Sequence, residues 1–126
     1  MKTLAIIVVI LGLATMVMGV ILVVNSGSAR SEVADSIAPL PLENLDAQYD
    51  TVKSAQMQLA QQEGAAIQQG NPSANYVWLT LQRTSLGLAR TNMGTARLTL
   101  TLGYLNLIIG IGLVIVSLGM FRKATA

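Results

Sequence analysis

The side chains able to do chemistry in this chain form rows rather than clusters. Arg83, Arg90 and Arg97 recur every seven residues, and the acids Glu32, Asp35, Glu43, Asp46, Asp50 and Glu63 all precede them. A seven-residue spacing puts the arginines on one stripe of a helix. A guanidinium keeps its charge at any working pH, so such a row pairs with carboxylates rather than moving protons. If the chain folds back about Asn71, Arg83 lies near Glu63, Arg90 near Asp50 and Arg97 near Asp46. Exposed pairs of this kind contribute about 0–1 kcal/mol each, so they select an orientation more than they stabilise it.

Other reactive chemistry is missing. There is no Cys and no His, which removes disulfides, thiolate nucleophiles, the commonest metal and haem ligand and the usual general base. The sequence carries no Gly-rich phosphate loop, zinc spacing or nucleophile elbow. A net charge of +2 spread over 126 residues is no basic stripe for nucleic acid. The expectation is a non-enzymatic protein with no catalytic residue, no metal and no cofactor.

The elements that hold these rows are set by hydropathy. With 52% apolar and 11% charged residues, the chain belongs with membrane proteins rather than soluble domains. Thr3 to Val24 is uncharged, and about 22 residues at about 1.5 Å each cross a hydrocarbon layer of about 30 Å. A signal-peptide core runs to only about 7–15 residues, so an uncleaved anchor is expected. From Leu98 to Phe121 there is again no charge, and Arg122 with Lys123 closes the run. Between the spans, Pro39 and Pro41 break the chain, and Gly70, Asn71 and Pro72 mark a turn: Gly70 left-handed, Asn71 capping the next helix, Pro72 in its first turn.

The expected fold is therefore an all-α membrane protein, two transmembrane helices joined by an extramembrane antiparallel helical hairpin, with the last helix running from the hairpin into the second span. The segments are a transmembrane helix at 1–25, a linker at 26–41 entered by turn chemistry at Asn25 to Ser28, extramembrane helices at 42–71 and 72–97, a transmembrane helix at 98–121 and a basic tail at 122–126. The first extramembrane helix has apolar residues at Leu42, Leu45, Tyr49, Val52, Leu59 and Ala66, a heptad seam interrupted by Gln56 and Glu63.

Two rows of small residues share one period. Ala5, Gly12 and Gly19 are seven apart in the first span, and so are Gly103, Gly110 and Ser117 in the second. Helices in lipid associate by close packing, which small residues permit. The spans are expected to pack small row to small row. Beside the second row, Leu79, Leu86, Met93, Leu100, Leu107 and Val114 make a seam of large residues along the last helix. Asn106 is the strongly polar side chain of the second span and calls for a hydrogen-bond partner, Thr15 or another subunit. Tyr76 and Trp78 lie too far from the second span for an interfacial belt. Trp78 is expected to cover Ala66 and Ile67 at the hairpin tip, or with Tyr76 to contact a partner. Only Arg97 and Arg90 are near enough to a bilayer to reach anionic headgroups.

The functional expectation is a structural or accessory subunit, or scaffold, of a larger integral-membrane complex. Its partners are other membrane subunits and the lipid bilayer, with a homo-oligomer as the alternative. Short-loop charge rules exempt a segment of about 70 residues. Both termini are therefore expected in the cytoplasm of a bacterial or archaeal cell, in its plasma membrane, with the hairpin outside. Two alternatives stand beside this. In topology alone, span, helical bundle and span, the chain is similar to bacterial chemoreceptor input domains, which implies a sensor signalling through a partner. A holin-like pore-forming oligomer is the third reading, although holins generally have short connections and these spans lack a polar face beyond Asn106.

Overall fold

The computed structural model describes residues 2–125, and they are helical with no strand among them. Helix α1 is Lys2–Ser36, α2 Leu45–Gln62, α3 Gly64–Gln68 and α4 Ala74–Thr125, with a short 3-10 turn at Leu42–Asn44. Both α1 and α4 are long and apolar enough to cross a membrane.

Helix α1 runs well past the end expected for it. Asn25 to Ser28 do not turn; the helix carries through them to Ser36, so most of the expected linker at 26–41 is helical. Turn-forming residues do not by themselves stop a helix. The Ser28 hydroxyl bonds back to the Val24 carbonyl, and Gly27 costs only about 1 kcal/mol relative to Ala. Proline does stop it. Pro39 and Pro41 cannot donate to the ladder, and the last backbone amides to donate here are those of Ile37 to Val33, Ala38 to Asp35 and Leu40 to Ile37. Pro41 stands in extended backbone just ahead of the 3-10 turn, and Glu43 lies within that turn.

The expected helix at 42–71 is broken into three. α2 ends at Gln62, Glu63 sits outside helical backbone at φ −104 and ψ 16, and α3 adds a few residues more. Gly70 then takes φ +74. Its amide donates to the Ile67 carbonyl and that of Asn71 to Ala66, the paired bonds by which a left-handed residue closes a helix end. The cap of α4 is Ser73 and not Asn71: its Oγ accepts from the Tyr76 amide at 3.2 Å, which satisfies one of the free donors of the first turn. Pro72 consequently lies ahead of the helix. At the other end α4 continues through Arg122 and Lys123 to Thr125, so the tail expected at 122–126 is helical as far as the described residues reach.

The chain forms two compact units. One joins residues up to Ala29 with those from Thr95 onward; the other is Arg30–Gly94. The core of the second is a cluster of Val33, Ile37, Leu45, Ala89 and Met93, with Leu40, Leu42 and Leu86 against it. In the first unit small residues fill the buried places, among them Ala5, Ser26, Ala96 and Ser117.

Candidate functional site

In the first unit the two small rows meet. A Cβ placed on Gly12 would lie 3.0 Å from the Gly110 carbonyl oxygen, and one on Gly19 would lie 2.8 Å from that of Gly103. The reverse holds as well: a Cβ on Gly103 would be 3.0 Å from the Gly19 oxygen, and one on Gly110 would be 2.7 Å from the Gly12 oxygen and in collision with Met16. Partner numbers on α4 fall as those on α1 rise, so these helix stretches run in opposite directions. Ala5 and Ser117 are 0% exposed, and the Ser117 hydroxyl is satisfied within its own helix by the Val114 carbonyl at 2.6 Å. Backbones this close leave room for nothing larger than hydrogen at the four glycines.

Around that seam the large side chains point outward. Leu4, Ile7, Leu11, Ile108, Ile115 and Leu118 are all exposed. Asn106 is half-buried, and among the described residues its amide shows no hydrogen bond. The Thr15 hydroxyl, one expected partner, donates instead to the Leu11 carbonyl at 2.8 Å.

The second unit holds the acids and, of the arginine row, Arg83 and Arg90, in a register one heptad away from the expected one. Asp46 meets Arg90 rather than Arg97, at 2.9 Å from Oδ1 to Nε. The Arg90 guanidinium also lies 5.2 Å from the centre of the Tyr49 ring. A Cβ on Gly87 would stand 3.2 Å from that ring, so glycine makes room for the tyrosine. Asp50 and Arg97 are exposed. Arg83 pairs not with Glu63 but with Gln56, whose Oε1 accepts from its Nη1 at 2.6 Å. Glu63 instead accepts the Ser73 amide at 3.1 Å. The cause of the shift is α3. Its residues belong to the reversal rather than to the arm, so facing residues are centred near Gln68 in place of Asn71.

Gln56 is the residue the sequence reading undervalued. It stands in a seam position, is 8% exposed, and spends both ends of its amide: Nε2 donates to the Thr80 hydroxyl at 3.0 Å while Oε1 takes Arg83. The Thr80 hydroxyl in turn donates to the Tyr76 carbonyl. An amide satisfied in this way specifies which residues face each other, because any slide leaves it unpaired.

Tyr76 is half-buried and Trp78 is 60% exposed. The indole borders a shallow cavity of about 310 Å³ together with Leu59, Gln62 and Leu79, over the flank of α2. Compared with known proteins, the chain matches no family model, no curated protein and no solved structure.

Proposed function

We propose that this chain is a non-enzymatic structural or accessory subunit, or scaffold, of a larger integral-membrane complex. Helix α1 and the second half of α4 cross the bilayer, both termini are cytoplasmic, and an extracytoplasmic helical hairpin is built from residues 42–97. The observation that carries this reading is the contrast within the two apolar helices. A narrow row of glycines joins them, while in an 18-residue apolar stretch of each helix only 11% of the residues are buried. Those outward faces suit lipid and other transmembrane helices, which associate by packing rather than by a hydrophobic drive.

The test is extraction in a mild detergent through a tag after Ala126, followed by native mass spectrometry. Foreign subunits in fixed stoichiometry support the accessory reading. Particles built only of this chain overturn it and favour the second reading, a sensor. That alternative draws on α4, which continues without a break from the extramembrane residues into the second apolar stretch. For orientation, a cysteine at Gln61, in a chain that has none of its own, should react with a membrane-impermeant maleimide added to intact cells, and one at Thr125 should not. The reverse pattern inverts the topology.

A further inference from the structure

We infer that a second copy of this chain covers the open face of α4, side by side and in the same direction. The inference rests on the membrane reading above, which places residues 42–97 in water. There, Val77, Trp78, Leu81 and Leu88 of α4 are exposed by 44–63%, and no lipid covers them. They are not scattered. Leu81 and Leu88 are seven apart, Val77, Thr84 and Thr91 fall three or four residues from them, and together they make the a and d places of a heptad. The Thr84 and Thr91 hydroxyls donate to the Thr80 and Gly87 carbonyls of their own helix, so covering them strands no donor.

Two features identify the occupant as a like copy. The first is charge. In that heptad Arg83, Arg90 and Arg97 all fall at c, and from Val77 to Met120 no a, d, e or g place is charged. Residues at e and g decide which helix a coiled coil accepts. A seam with none repels no identical seam and offers nothing to a charged stranger. Copies inserted the same way into one membrane bring equal numbers together, which is the parallel arrangement an a/d heptad serves.

The second feature lies in the first unit. Asn106, with no partner for its amide among the described residues, falls at e, and Thr101 falls at the preceding g. In a parallel pair, e of one helix lies beside g of the other. The Asn106 amide then donates to the Thr101 oxygen of the second copy, whose own proton goes to its Arg97 carbonyl. A side-chain amide in an apolar helix seeks such a bond.

The test uses single cysteines in the full chain within its native membrane. Leu81→Cys and Leu88→Cys should give an oxidised band at twice the 13.3 kDa of the chain, in several-fold greater yield than Lys53→Cys on α2. Asn106→Leu in the same background should lower that yield. Bands no stronger than those of Lys53→Cys overturn the inference, as does a cross-link to a different chain. Alkaline carbonate washing of the same membranes separates the two claims. Dimer recovered in the wash keeps the like-copy contact but sinks the membrane reading, and pelleted monomer does the opposite.

Discussion

Gln56 and Gly70 behave oppositely with respect to what a single residue announces. Gly70 was legible: Gly-Asn-Pro between two helical stretches asks for a left-handed residue, and φ is +74 there. Replacing it with Ala should lower stability by about 1–2 kcal/mol, the cost of a Cβ in left-handed backbone, and Gly70→Asn should cost less. Thermal unfolding followed by circular dichroism in detergent compares the two. Gln56 was not legible, because a polar residue in a seam reads as an interruption until its partners are known. They sit 24 and 27 residues away, and which residues arrive opposite depends on the length of the turn. Gln56→Ala, which leaves Arg83 without its acceptor and opens a space, should cost about 1–3 kcal/mol. Gln56→Leu should cost less by the same measurement, since it keeps the packing. Equal losses for the two would place the effect in the lost hydrogen bonds alone, with no contribution from volume.

Among the elements, the two long helices and their glycine rows could be read from charge-free runs and a seven-residue period. What could not be read was where helices stop. Polar, small residues at Asn25 to Ser28 look like a turn in sequence and are helix in space, because nothing before Pro39 removes a backbone donor. α3 had the reverse effect: counted as arm, it displaced the facing residues by one heptad and gave Arg97 the partner that Arg90 holds. That ion pair is half exposed on both sides. A double-mutant cycle on Asp46→Asn and Arg90→Gln should return a coupling of no more than about 1 kcal/mol, smaller again in high salt. The seam between the long helices is less forgiving. Gly110→Leu should destabilise the pair by about 1–3 kcal/mol or more, since backbone atoms of Gly12 and Met16 stand where the side chain would go. Ile109→Leu, at an exposed place, should melt like the parent. If both substitutions melt alike, the glycines are not what brings the helices together.

For the whole molecule, composition and periodicity reach as far as an all-helical chain with two candidate spans, because hydropathy and helix period are written locally. Assembly is not written that way; it depends on surfaces that one chain leaves uncovered. The glycine seam has a consequence here. Ala5, Gly12 and Gly19 repeat at the same interval as Gly103, Gly110 and Ser117, so moving one helix along the other by seven residues, roughly 10.5 Å, again sets small against small. Such a seam is a ruler with identical marks. It dictates how near two helices come, not which molecule supplies them. The α1 of a neighbouring molecule would fit the same marks, and only the tether from Ile37 to Ser73 gives the resident helix its advantage, by holding it at high local concentration. Ownership of that contact is therefore a property of the connecting segment, and cutting the chain there should leave two fragments that find one another by the seam but exchange freely between molecules.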